Sequence, residues 1–413
     1  MRTKETRGPR IALALAGGGP LGAIYEIGAL CALQEALDGL DFTRLDHYVG
    51  VSAGSFIAAA LANGMPPREL CASFIEEGAP ASEVFDPAWL MVPAWGEFAR
   101  RAIMLPGLAL GAFWRAAWMR RSLTHALEPL GRALPTGLFS SDEAQRRLAG
   151  TFSREGRTND FRKLRTRLTL VATNLDTGQA APFGAPGFDH VPISKAVQAS
   201  SALPGLFPPV EIDDNYYVDG ALKKTMHASI ALEEGADLML CINPLVPFNA
   251  LEPHEEALAS GVRPEDRRIP RIVEGGLPAV LSQTFRTMIH SRAEIGMRQY
   301  HGRYPGTDII LIEPDQRDPQ LYLHNTFSYR LRREFAEHAY QQTRGMLRAK
   351  HTQMAAKFER HGIALRSDVL DDTARRLVPQ RGRRASIGRA IDDLRRSLDT
   401  LDRTLSMQGT AGR

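Results

Sequence analysis

The sequence predicts an α/β fold built on a mostly parallel sheet. Three observations carry this. An apolar run, Ile11–Ala16, ends in the glycine turn Gly17–Gly22 and leads into an Ala-, Leu- and Glu-rich stretch that reads as helix through about Leu37. A second apolar run, Tyr48–Val51, ends in Gly50-Val51-Ser52-Ala53-Gly54 and is followed by a small-residue helical stretch, Ser55–Asn63. Downstream, runs of strand length alternate with segments of helical pattern, which is the signature of βαβ units.

The first two runs and the helix between them make one βαβ unit, with a right-handed crossover and parallel strands. Both glycine turns then lie at the carboxyl edge of the sheet, where open α/β sheets place their sites. Asp86–His125 differs in character and reads as a helical insertion. Further strands are expected at Leu168–Ala172, Tyr216–Val218, Leu238–Ile242 and Ile309–Ile312. Helices are expected at Ser194–Ser200, near Ala279–Gln299 and over Tyr329–His361. His254–Pro270 reads as a polar loop, and Pro379–Gly382 as a linker before a last helix. The expected division is a body over 9–362 and a basic linker with an amphipathic helical tail over 363–413.

With 413 residues the chain can bury a large core, and 44% hydrophobic with 24% charged residues is an ordinary globular balance. The net charge of +4 is no argument for a nucleic-acid partner, and it sits in the tail: from Asp371 onward there are ten arginines against six aspartates. Cys31, Cys71 and Cys241 are odd in number and set among apolar residues, as buried thiols in a reducing compartment would be. Arg7 and Arg10 before an apolar run imitate a signal peptide, but the run is short and passes straight into glycines, so a first strand and a cytoplasmic protein are expected. The longest uncharged apolar candidate, Ala102–Trp114, is broken by Pro106, Gly107 and Gly111 and falls short of the roughly 20 residues of a membrane span.

The chemistry begins at Ser52. A serine with glycines two positions away on each side suits a tight strand-to-helix turn, which thrusts the hydroxyl out at the sheet edge. Gly50 and Gly54 are the positions where a side chain would crowd that turn. Gly17-Gly18-Gly19-Pro20-Leu21-Gly22 forms a second element, whose backbone N–H groups can converge on a negative oxygen. Pro20 has no N–H, so Gly18 and Gly19 are the foremost donors. A dinucleotide loop competes for this segment, but no acidic residue closes the next strand, and no Gly-Lys-Ser/Thr follows for a P-loop.

A serine nucleophile needs a base. His227, His254, His290 and His301 lie downstream, none at an obvious strand-to-loop junction. Asp219 does lie at one, ending Tyr216-Tyr217-Val218 and followed by Gly220. A carboxylate near pKa 3.9 is a poor base unless burial raises it; taken alone, Asp219-Gly220 also suits a plain surface turn.

Together these residues resemble the patatin-like phospholipases of bacterial type. Gly17–Gly22, Gly50–Gly54 and Asp219-Gly220-Ala221 stand in the order of that family's oxyanion loop, serine elbow and Asp-Gly-Gly/Ala motif. Ala199–Pro209 and Asn174–Gly178 resemble two further family segments, and the likeness covers about Pro9 to Met226. The resemblance implies a three-layer α/β/α fold and hydrolysis of lipid acyl esters by a Ser52–Asp219 dyad. It also implies an oxyanion hole drawn from Gly17, Gly18, Gly19 and Gly22, and neither metal nor cofactor. Leu21 stands where many members carry Arg or Lys, which removes a cation from the loop. A thioesterase, transacylase or neutral-lipid hydrolase on the same dyad, and a lipid-binding scaffold, remain alternatives.

All four tryptophans, Trp89, Trp95, Trp114 and Trp118, fall in the insertion among five arginines. Residues 86–121 therefore suit either contact with a lipid surface or a cap packed on the body. In the tail, Ile387, Ile391, Leu394, Leu398, Leu401 and Leu405 follow a heptad, a seam for self-association or for docking on a partner or on the body.

Overall fold

A computed structural model of the chain describes residues 8–76, 85, 87–118, 133–249, 271–318 and 331–378. Its frame is an eight-stranded sheet. The strands are β1 (Ile11–Leu15), β2 (His47–Val51), β3 (Arg167–Asn174), β4 (Ala180–Phe183), β5 (Val210–Ile212), β6 (Asn215–Asp219), β7 (Leu238–Ile242) and β8 (Asp308–Ile312). They run in the order β8-β7-β1-β2-β3-β6-β5, with β4 also on β3. From β8 to β3 every pairing is parallel; β4, β5 and β6 add antiparallel pairings at one end.

The parallel strands are buried on both faces. Ala12, Ala14, Val49, Val51, Met239 and Cys241 face one layer, where they cluster with Leu232 of the short helix Ser229–Glu233 and with Met297. Alternate residues Leu13, Leu15, Leu240 and Ile242 are equally buried on the other face. This is why β1 and β7 read as unbroken apolar runs rather than as alternating ones. Among the described residues the main helices are α1 (Gly19–Ala36), α2 (Ala53–Ala62), α3 (Trp95–Trp118), α4 (Asp142–Phe152), α5 (Ile193–Ser200), α6 (Gly276–Arg303), α7 (Arg332–Ala349) and α8 (His351–Glu359). α2 lies against β1, β2 and β3, while α1 packs on α2 and α7. The three-layer α/β/α arrangement expected from the resemblance is present.

β3 decides where the antiparallel strands go. Its residues Arg167–Val171 pair with β2 along one edge, and Leu170–Thr173 pair with β4 along the other. Ala172–Asn174 pair with β6 while Ala172 and Thr173 are still held by β4. β6 therefore lies on the same edge as β2, beyond its end, and the two strands meet with their carboxyl ends facing. β5 turns into β6 through Asp213 and Asp214, both at positive φ (50° and 59°), as a two-residue hairpin of the primed type requires.

Several expectations are corrected in detail. Tyr216–Val218 is a strand, but an antiparallel one. Tyr329–His361 is not one helix: its described part breaks at Lys350 into α7 and α8. Pro106 does not interrupt the insertion, because α3 runs through it as one helix. The body does not end at 362; the compact unit reaches Arg375. Ala364–Leu365 pairs with Leu37–Asp38, and the Arg344 guanidinium donates to the carbonyls of Val369 (2.6 Å) and Asp372 (2.7 Å). Residues 376–413 form a second unit, and the 387–405 seam, the Pro379–Gly382 linker and the His254–Pro270 loop lie outside the described residues. Cys31, Cys71 and Cys241 are buried and free. Among the described residues no helix is long and apolar enough to cross a membrane.

Candidate active site

Ser52 sits between β2 and α2 with φ 54° and ψ −124°, a backbone conformation that costs a non-glycine residue about 1–3 kcal/mol. The surrounding packing enforces it. A Cβ on Gly54 would stand 2.4 Å from the Ala16 carbonyl oxygen at the end of β1, and the Gly54 N–H donates to that oxygen at 3.1 Å. A Cβ on Gly50 would stand 2.6 Å from Ser55 Cα. Gly54 is thus pressed onto the end of β1 and Gly50 onto the start of α2, and only glycine fits at either position.

Two hydroxyls that the sequence did not single out hold the turn in place. The Ser52 N–H donates to Ser200 Oγ at 2.9 Å, and that hydroxyl donates to the Val171 carbonyl at 2.6 Å. Ser55 Oγ donates to the Ser52 carbonyl at 2.5 Å. Ser200, at the end of α5, therefore ties the Ser52 turn to β3. Its one signal in the sequence is its place in the Ala199–Pro209 segment that resembles the family.

Asp219 ends β6 opposite Ala172, one position past Val171, the partner of Val51. Its N–H donates to the Ala202 carbonyl at 3.0 Å, and its Oδ1 accepts the Ala221 N–H at 2.9 Å. A Cβ on Gly220 would lie 2.1 Å from the Val171 carbonyl, so glycine lets the chain after Asp219 lie flat on β3. Burial pushes the Asp219 carboxyl up to about 6, although hydrogen bonds from the Ser52 hydroxyl and the Ala221 N–H pull it back. A base near that value is ionised at neutral pH yet retains affinity for a proton.

The glycine turn lies beside this pair. A Cβ on Gly17 would stand 2.9 Å from Ser52 Cβ. Gly18, at φ 150°, is the N-cap of α1, and Gly19 (φ 62°) begins that helix. The N–H groups of a first helical turn have no partner within the helix, and the helix dipole adds positive potential there. Gly18, Gly19, Ser52 and Asp219 line one cavity. Gly22 is different: its N–H donates to the Gly18 carbonyl at 3.1 Å, so it shapes the turn and offers no donor to the cavity. Leu21 is buried.

None of the described histidines is hydrogen-bonded to Ser52 or Asp219. His227 is buried behind Gly220, its ring 3.3 Å from that carbonyl, and burial pushes it down to about 4. His290 bonds Gln316, and His301 bonds the Met297 carbonyl; His254 lies outside the described residues. Among the described residues, no three His, Cys, Asp or Glu side chains converge as metal ligands would.

The cavity over the pair holds about 980 Å³, at the upper end of the range for small-molecule sites. Phe56, Phe74, Phe85 and Trp89 form one wall. Phe74 and Phe85 stack at 4.8 Å, and Trp89 meets Phe85 edge-on at 5.7 Å beneath the Arg147 guanidinium. The insertion thus divides: Trp89 faces inward, whereas Trp95 and Trp114 are 71% and 57% exposed. The Trp118 side chain lies outside the described residues. The Leu138 N–H donates to the Leu206 carbonyl at 3.0 Å, anchoring the segment after the insertion to the stretch that follows α5.

Residues 13–232 match the family described as Patatin-like phospholipase. Among solved structures, VipD from Legionella pneumophila is 16% identical with a TM-score of 0.38, over 83% of this chain and 67% of that one. The type III effector protein ExoU is 14% identical with a TM-score of 0.27, over 86% of this chain and 59% of that one. In the ExoU–SpcU complex of Pseudomonas aeruginosa the matched chain is 21% identical with a TM-score of 0.24, over 70% of this chain and 52% of its own length. The chain spans about half to two thirds of these proteins.

Proposed function

The chain belongs to the patatin-like phospholipase family, and from that membership we propose that it hydrolyses lipid acyl esters with Ser52 as nucleophile and Asp219 as base. The observation that carries the proposal is a strained serine and a buried aspartate, the latter raised to about 6 by burial, which line the same apolar cavity.

In this mechanism Ser52 Oγ attacks the acyl carbonyl carbon and its proton passes to Asp219. The carbonyl oxygen becomes an oxyanion, which the N–H groups of Gly18 and Gly19 stabilise. Collapse expels the alcohol, to which Asp219 returns the proton, leaving an acyl-enzyme on Ser52. Asp219 then takes a proton from water as the hydroxide adds to the acyl carbon, and returns it to Ser52 Oγ as the acyl bond breaks and the fatty acid leaves. Gly17 and Gly22 act by shape: the first makes room for Ser52, and the second fixes the turn.

The acyl chain would lie along the Phe56, Phe74 and Phe85 wall, and the proposed activity is of the phospholipase A or lysophospholipase type. Exposed Trp95, Ile103, Leu110 and Trp114 support contact of residues 86–121 with a lipid surface, which suits a peripheral protein at the inner face of a membrane.

The test is release of fatty acid from mixed phospholipid vesicles by the wild type, Ser52→Ala and Asp219→Asn. Release by the wild type and its loss in both variants, each folded, is the expected result. Release that survives in Ser52→Ala would refute the proposal.

A further inference from the structure

A helix on the surface of a water-soluble body normally turns apolar residues inward and polar ones outward. α6 does not. Its inward side carries Met297, buried in the sheet cluster, with Ile289 and Tyr300 packed against the same cluster. Its outward side carries Leu277 (69% exposed), Leu281 (45%), Met288 (52%) and Ile295 (51%), at spacings of four, seven and seven that keep them on one stripe. Val273, in the 3₁₀ turn just before the helix, extends the stripe by one more step of four and is 67% exposed. Such a stripe in water is unfavourable unless something covers it.

Two features of α6 say what the cover is. First, the stripe runs into the active-site cavity: Leu281 and Phe285 are 45% and 43% exposed and also line the space above Ser52. Met91, 47% exposed, lines the same cavity from the side of the insertion. Second, α6 holds four arginines against one glutamate, a cationic helix with an apolar outer face. That is the composition of a helix lying in the headgroup layer of an anionic membrane.

We propose that the outward face of α6, from Val273 to Ile295, is a membrane-docking surface that seats the cavity mouth on an anionic lipid bilayer. It lies outside the tryptophan-bearing insertion and adds a second contact to that of the insertion, whose Met91 lines the same cavity. An acyl chain leaving the bilayer would pass along Leu281 and Phe285 to Ser52 without crossing water. The route rests on the hydrolase proposal; the docking itself does not.

The experiment uses the full chain with Leu277→Glu and Met288→Glu combined, two exposed positions outside the cavity lining. Binding is read by co-sedimentation with phosphatidylcholine vesicles containing phosphatidylglycerol, in a Ser52→Ala background so that the lipid is not consumed. Withdrawing two apolar side chains from lipid should weaken binding about tenfold or more. Turnover of a soluble short-chain ester by the otherwise wild-type double variant should stay unchanged, while release from vesicles falls in step with binding. A milder Leu277→Ser, Met288→Ser pair serves if the glutamates unfold the chain, as thermal melting would reveal. Vesicle binding equal to that of the parent overturns the proposal. So does light scattering that shows a dimer, broken by the substitutions, with vesicle binding intact, since the stripe then covers a second copy. If no substrate is turned over but the substitutions abolish binding, the hydrolase proposal fails and the docking surface stands.

Discussion

Ser52 and Asp219 stand at the carboxyl ends of two strands that meet head-on along one edge of β3: Val51 pairs with Val171, and Asp219 pairs with the next residue, Ala172. Each side chain is thereby placed by backbone pairing rather than by a flexible loop. The Gly220 backbone, pressed against the Val171 carbonyl, and Ser200, which bonds both Ser52 N–H and the same carbonyl, lock the junction.

The pH dependence follows from the base. In the proposed dyad Asp219 must be ionised to accept the serine proton, and burial raises its carboxyl to about 6. Turnover of a soluble ester, as kcat/KM, should be level above about pH 7 and fall nearly tenfold per unit well below pH 6. Burial pushes His227 down to about 4, so a base there would put the limb about two pH units lower. His227→Gln should therefore keep both the activity and the limb near pH 6, and loss of activity in that folded variant would assign the base to the histidine.

The same burial has a consequence for stability. The folded-state value lies above the unfolded one, so the folded chain holds an extra proton between about pH 4 and 6. The stability this lends is complete below the unfolded value and is lost as the pH rises through the folded one. Asp219→Asn is neutral throughout and should be inactive yet more stable than the wild type near pH 8, by up to roughly 2–3 kcal/mol, with the gain shrinking towards about pH 4. Urea unfolding at the two pH values checks this, and a loss of stability at the higher pH would contradict it.

Ser200→Ala separates positioning from structure. It removes an acceptor from the Ser52 N–H and a donor from the Val171 carbonyl, at a cost of about 1–3 kcal/mol. A turn that is merely less stable would leave kcat unchanged in the folded fraction. Loosened aim of Ser52 should lower kcat by about tenfold or more with KM nearly unchanged. Steady-state kinetics at a temperature where both proteins are folded decides between them.

Gly54→Ala should be among the most damaging small substitutions in the chain. The new methyl would meet backbone, not a flexible side chain, at 2.4 Å from Ala16 O, so β1 and the nucleophile turn must separate. A loss of about 2–4 kcal/mol is expected from such overpacking at a strained turn. Gly64→Ala serves as a control with open space around it, although its φ of 82° carries a smaller strain of its own. Comparable denaturation midpoints for the two would contradict this packing.

Much of this was legible in the sequence because the parallel strands are buried on both faces and so stand out as apolar runs, each ending at a chemically marked turn. The Gly17–Gly19 turn and Ser52 follow such runs, whereas Asp219 ends the short antiparallel strand β6 and is marked by the Asp-Gly step after it. The antiparallel course of β6 was not, because direction is set by pairing on β3 and leaves no trace in Tyr216-Tyr217-Val218. The hairpin turn carries Asp213-Asp214 rather than a glycine signal, and α4 is a polar helix that buries only Leu148 and Phe152. Gly22 was grouped with the donors because spacing alone cannot show that its N–H is spent on Gly18. Ser200 was missed because a hydroxyl that holds a backbone looks like any other serine.

The most direct test is mass-spectrometric mapping of a fluorophosphonate label on the intact chain, for the wild type and for Asp219→Asn. A Ser52–Asp219 dyad predicts a single adduct on Ser52 in the wild type and labelling slowed about a hundredfold or more in Asp219→Asn. An adduct on another serine, or equal labelling of Ser52 in the folded Asp219→Asn variant, would contradict it.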